Sequence, residues 1–95
     1  MYKLTKEAEK DITEMLKSSL SLFGRDQTEV YAKSLSKCFD LLSVNPEMGK
    51  NIDDIRADYS KFPHGSHVVY YKTEPDHILI VRILHKHMDV ERNIR

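Results

Sequence analysis

Apolar residues recur at helical spacing through the first 45 positions of the chain. Ala8, Ile12, Leu16, Leu20 and Phe23 follow one another at intervals of four, four, four and three, with Met15 beside them. One stripe of a helix is therefore apolar and asks to be covered. Thr5 stands before it as an N-cap. Glu7 and Glu9 occupy the first turn, where the positive end of the helix dipole favours carboxylates, and Gly24 ends the run. A second stripe, Tyr31, Leu35, Cys38 and Leu42, widened by Phe39 and Leu41, predicts another helix. Asp26 and Glu29 have the spacing of a capping box at its start, and Asn45-Pro46 stops it, with Gly49 permitting the next turn. So short a link between two apolar-faced helices predicts an antiparallel hairpin that needs a second layer.

Beyond Gly49 the period falls to two. The stretch from Lys50 to Pro63 is weakly patterned: Ile52 and Ile55 are expected to pack inward, and a strand within Ile55 to Phe62 would carry Arg56 outward. Pro63, Gly65 and Ser66 predict a turn, after which Val69 and Tyr71 share one face of a strand and Val68 and Tyr70 the other. Glu74-Pro75-Asp76 turns the chain back. In the next strand Leu79, Val81 and Ile83 form one face, and Ile78, Ile80, Arg82 and Leu84 the opposite one. Both faces are mostly apolar, as in a strand central to its sheet and covered on both sides. One face is expected to take the helical hairpin, the other the tail or a partner. Tyr2-Lys3-Leu4 reads as a short first strand and Val90 to Ile94 as a short terminal helix. The expected architecture is α+β: one domain, residues 1–95, with an N-terminal helical hairpin packed on one face of a small, mainly antiparallel sheet and a short C-terminal helix.

Composition narrows the function. With 40% hydrophobic and 32% charged residues in 95, the chain fits one modest globular core with a wet surface. Fifteen basic and fifteen acidic residues cancel, and all five histidines (His64, His67, His77, His85, His87) lie in the second half. A protein that grips a nucleic-acid backbone by itself carries a marked positive excess, so contact with nucleic acid is expected only indirectly, through a larger partner. Cys38 is alone, which excludes a disulfide within one chain. No glycine-rich phosphate loop, HExxH or CxxC occurs. Asp53-Asp54 reads as a solvated turn and the histidines as surface or hydrogen-bonded residues, so neither a metal nor a cofactor is expected. Apolar runs fall well short of the ~20 residues of a membrane span, and the charged first ten residues do not form a signal peptide. No membrane association is expected, and the cytoplasm is the expected compartment.

Candidate chemistry gathers at the end of the last strand, where Arg82 interrupts an apolar run and His85 closes it. Arg82 has two readings there. It projects toward a partner, or it pairs with Asp89 or Glu91 and fastens the tail. His85, Met88 and Asp89 form a neighbouring cluster, in which Met88 plugs the edge of the core and Asp89 caps the terminal helix, or both belong to a docking surface.

Across its length the sequence resembles the ParE branch of the RelE/ParE toxin superfamily. The matching blocks are Ala8-Glu9-Lys10-Asp11-Ile12 after the opening strand, Tyr31-Ala32 and Leu35 to Leu42 on the second helix, Asn45-Pro46-Glu47-Met48-Gly49, Ile55-Arg56, Gly65 to Tyr71, and Ile80 to His85 with Met88-Asp89. The resemblance implies the toxin of a bacterial type II toxin–antitoxin pair, of the kind that stabilises plasmids. Such a toxin is held in a hetero-oligomer by a ParD-like antitoxin. ParE-like toxins inhibit DNA gyrase and stabilise its cleaved complex with DNA, a role with no covalent chemistry of the toxin's own. Arg56, Arg82, His85, Met88 and Asp89 are then candidates for contact with the target, and Leu20, Phe23 and Tyr31 for contact with the antitoxin. The RelE-like cousins cut messenger RNA on the ribosome, which would make His85, Arg82 and Arg56 catalytic. A third possibility is a non-toxic protein that keeps the fold and still binds the antitoxin. The sequence departs from the ribosome-dependent pattern, since Lys86-His87-Met88-Asp89 follows His85 where an aromatic residue is usual, and the middle region offsets Lys50, Arg56 and Lys61 with Asp53, Asp54 and Asp58.

Overall fold

Chain order in the computed structural model, which describes residues 1–88 and 90–94 with Glu91 by its backbone alone, is β1 (Tyr2–Leu4), α1 (Lys6–Phe23), α2 (Arg25–Val44), a 3₁₀ turn (Pro46–Met48), β2 (Lys50–Asn51), β3 (Tyr59–His64), β4 (His67–Thr73), β5 (Ile78–His85) and α3 (Val90–Ile94). The strands form one sheet in the order β1-β5-β4-β3-β2, with β1 parallel to β5 and every other pair antiparallel. This is the expected α+β arrangement.

Thr5 ties the first helix to the sheet. Its hydroxyl oxygen accepts from the Ala8 amide at 3.1 Å, the N-cap bond its position requires, and donates to the Val81 carbonyl at 2.7 Å. Its own amide reaches the Ile80 carbonyl at 3.0 Å. The turn between the helices is made by Gly24, whose φ of +86° suits a residue without Cβ. Ser19 and Thr28 join the helices across it at 2.9 Å. The expected capping box is not formed. α2 begins at Arg25 with Gly24 as its N-cap, Asp26 lies inside the first turn, and Glu29 pairs with Arg25 at 3.3 Å. The tight glycine turn starts the helix two residues earlier than the box needs.

The helices cover one face of the sheet. Ala8, Leu35, Cys38, Phe39 and Leu42 pack on Val69, Tyr71, Ile78, Ile80 and Ile83. The opposite face carries a smaller core of Ile52, Tyr70, Leu84 and Ile94, with Ile55, Tyr59, Val68 and Val90 around it, so α3 does close the second face.

Strict alternation along β5 fails at one point. Tyr70 pairs with Arg82 but Tyr71 with Ile80, leaving Val81 as the extra residue of a bulge. Ile83 therefore joins Ile78 and Ile80 under the helices, while Leu84 belongs to the other core; the expected grouping of Ile78, Ile80, Arg82 and Leu84 is overturned. Thr5 holds the bulged carbonyl from 76 residues away. Two other expectations shift. Pro63 lies inside β3, opposite Val68, at a position where β2 has already ended and no ladder amide is needed. The chain from Ile52 to Arg56 is a turn, with the Ile55 and Arg56 amides both donating to the Ile52 carbonyl, so β3 starts only at Tyr59.

Candidate functional site

Geometry at one end of the sheet follows from register. Gly65, at φ +61°, and Ser66 make a two-residue hairpin that sets His64 opposite His67, and His67 in turn opposes His85. The His67 and His85 rings lie edge to face at 5.5 Å, and the His87 ring follows 5.1 Å from that of His85. His85 Nδ1 accepts the His87 amide at 3.2 Å, which leaves Nε2 as its outward atom.

From the other side, α2 presents Tyr31 and Ser34, one turn apart on the same face. Tyr31 Oη lies 3.1 Å from His67 Nδ1, and Ser34 Oγ lies 3.0 Å from His64 Nε2. Burial lowers the His64 and His67 pKa values from the ordinary histidine range, and for His67 the neighbouring His85 and His64 push the same way, against a smaller opposing pull from Asp11. Burial also pushes the Tyr31 phenol up.

The end of the helical hairpin and this end of the sheet line an open groove of about 820 Å³. Met15, Phe23, Val30 and Tyr31 line the helical wall, and His67 and Met88 lie on the sheet side. Phe23 is 63% exposed although it continues the apolar stripe. Leu20, at 52%, is exposed but does not line the groove.

Arg82 lines the same groove but is engaged there. Its Nε donates to Asp11 Oδ2 at 2.7 Å and its Nη2 to Asp11 Oδ1 at 3.0 Å, a two-pronged pair, while Nη1 reaches the Asn93 carbonyl of α3 at 3.3 Å. Asp11 Oδ2 also accepts the Ile83 amide at 3.0 Å, on the edge that β1 leaves open. This hydrogen bonding raises the Arg82 pKa further. The tail is thus fastened by Arg82 through the Asn93 backbone, and a carboxylate partner is Asp11; Asp89 and the Glu91 side chain lie outside the described residues. Sequence reasoning passed over Asp11, although a lone arginine in an apolar strand signals that some acid must meet it.

Arg56 does not join this group. It sits in the β2–β3 turn, its guanidinium 5.3 Å above the Tyr59 ring, at the end of β3 opposite His64 and two strands from β5. Met88 is half-exposed and lines the groove. Among the described residues no three His, Cys, Asp or Glu side chains are arranged to hold a metal ion, and no helix is long and apolar enough to cross a membrane.

A family model described as the ParE toxin of the type II toxin–antitoxin system parDE matches residues 2–90. The chain belongs to the ParE toxin family. It is a component of a toxin–antitoxin system. It is 36% identical over 94 residues to Toxin ParE1 of Mycobacterium tuberculosis strain H37Rv, covering 98% of this chain and 96% of that relative. It is 29% identical over 93 residues to Toxin ParE1 of Caulobacter vibrioides, with the same coverage. A solved structure described as the chromosomal ParDE TA system from P. aeruginosa superposes with a TM-score of 0.75 over 88% of this chain and 92% of that one, at 14% identity. The ParE fold thus persists where the sequence has largely diverged. That agrees with a core made of periodic apolar positions.

Proposed function

We propose that this ParE-family chain inhibits DNA gyrase, stabilises the cleaved gyrase–DNA complex, and is silenced in the cytoplasm by a ParD-like antitoxin in a hetero-oligomer. What supports the reading most is the engagement of Arg82. Cutting RNA through its own 2′-hydroxyl needs a base, an acid and positive charge on the phosphorane. Among the described residues, Arg82, the arginine on the same strand as His85, is already bound by Asp11, and Arg56 lies at the far end of the sheet. The neutral overall charge also disfavours a free-standing grip on nucleic acid. In this reading His85, Met88 and the tail from Asp89 form the surface for the target. Arg82 serves it by holding α3, and Arg56 is a separate contact.

One observation favours the second reading, a ribosome-dependent endonuclease: the His67 ring beside His85 supplies a second proton carrier. Against it, the guanidinium of Arg82 is engaged by Asp11.

In this reading the antitoxin covers the hairpin end; in support, Phe23 and Tyr31 line the groove and Leu20 is exposed on the same helix as Phe23. Phe23→Glu is expected to weaken antitoxin binding at least tenfold while the melting temperature stays within about 2 °C, because the ring contributes little to the core. Unchanged affinity by calorimetry would remove Phe23 from the interface. The function itself is tested by adding purified chain to gyrase, relaxed plasmid and ATP. Supercoiling should be suppressed and restored by antitoxin. Undiminished supercoiling at a molar excess of chain contradicts the proposal.

A further inference from the structure

We propose that the two hydrogen bonds from α2 to the β3–β4 turn form a proton-operated clasp, which opens the groove as the pH falls from neutral toward mildly acidic values. The inference concerns the free chain and does not depend on what the groove binds.

The clasp is built from Tyr31 on His67 and Ser34 on His64, at 3.1 and 3.0 Å. In the neutral tautomer with its proton on Nε2, the Nδ1 lone pair of His67 accepts the Tyr31 hydroxyl. Protonation removes that acceptor. The phenol must then turn its hydrogen away, toward the Met15 sulfur 3.8 Å off, and accept from an imidazolium instead. An imidazolium there is poorly placed. The ring of His85 faces it edge-on at 5.5 Å and opposes a charge on His67, and the His87 ring stands behind that.

The charges around His67 are these. From α1 come Asp11 and Glu14, both lining the groove; from α2, Tyr31; from β3, His64; from β5, Arg82 and His85, followed by Lys86 and His87 in the turn. Among the described residues Asp11 is the carboxylate that draws protons to His67, and it is already satisfied by Arg82 and the Ile83 amide. When α2 draws back, the rings of His64 and His67 gain water and return toward ordinary histidine behaviour. A state that binds protons more readily is favoured by acid, so opening must increase as the pH drops. The sign is fixed by the depressed values in the closed state: stability of the contact is present above the ordinary histidine pKa of ~6.5 and is lost below it. The β5 ladder does not depend on these bonds, which confines the effect to α2 and the hairpin end.

The test is hydrogen exchange of the full chain at pH 7.5 and 5.5, corrected for intrinsic rates, with histidine ring titrations read by NMR. Amides of residues 28–34 are expected to lose protection roughly tenfold at the lower pH, with residues 79–84 unchanged. In Tyr31→Phe, which keeps the ring and removes the hydroxyl, the difference between the two pH values should shrink to less than half. His67→Gln, neutral at both pH values, should shrink it likewise and serves if the first variant folds poorly. Equal protection of 28–34 at both pH values overturns the clasp. So does a loss spread evenly over 28–34 and 79–84, or a full pH response in His67→Gln.

Discussion

Replacing Asp11 with alanine is expected to destabilise the protein by about 3 kcal/mol, more than any other single change on the surface of α1. Its side chain is only 13% exposed and its partner Arg82 only 22%. Removing the carboxylate leaves a largely desolvated guanidinium with one carbonyl for company and strips the Ile83 amide of its acceptor. It also unfastens α1 from β5 and weakens the hold on α3, so three elements loosen together. Asp11→Asn should cost less, because an amide oxygen can still accept from Ile83. Arg82→Ala on top of Asp11→Ala should add little, since the charge left stranded by the first change is gone. Urea denaturation of the four proteins measures this. A midpoint for Asp11→Ala within 0.5 kcal/mol of wild type would mark the pair as one of the many exposed ion pairs that contribute nothing measurable.

Gly49→Ala is expected to be comparably severe, about 3 kcal/mol, for a steric reason. A Cβ there would lie 2.1 Å from Tyr71 Oη and 2.8 Å from Cε1 and Cζ of the same ring. Tyr71 cannot step aside. It is fully buried, its hydroxyl donates to the Pro46 carbonyl at 2.5 Å and accepts the Gly49 amide at 2.9 Å, and its ring sits between the helices and the sheet. Tyr71→Phe removes the hydroxyl and leaves those two backbone groups without their partner, at an expected cost of about 2 kcal/mol. The double variant should cost less than the sum, since the closest clashing atom is gone, yet more than Tyr71→Phe alone, since the ring carbons still crowd the new methyl. Thermal melts of the three variants check the ordering. Strict additivity would mean that Gly49 is not seated against Tyr71.

How much of this was legible in the chain depends on the range of the interaction. The helices, their junction at Gly24, the hairpin and the apolar β4 and β5 strands follow from local period, so the resemblance and the fold coincide. The bulge at Val81 left no trace, because Val81 is apolar like its neighbours and the contact that holds it comes from Thr5. The capping box failed since a glycine turn outranked it. For Arg82 the sequence points to the nearest acids along the chain, Asp89 and Glu91. The acid that meets it, Asp11, lies on the flank of the first helical stripe, and only the parallel pairing of β1 with β5 brings it there. The histidine row was half visible: His64 and His67 flank a turn, but His67 meets His85 only through the register of β4 on β5.

In the proposed reading this chain traps gyrase and does not cut RNA. That is tested most directly by incubating the chain with gyrase, supercoiled plasmid and ATP, and in parallel with ribosomes carrying messenger RNA and an empty A site. The expected result is linear DNA that appears only when gyrase and the chain are both present, and intact messenger RNA. Codon-positioned cuts in the messenger RNA, with no linear DNA, would contradict it and make His85 and His67 the catalytic pair.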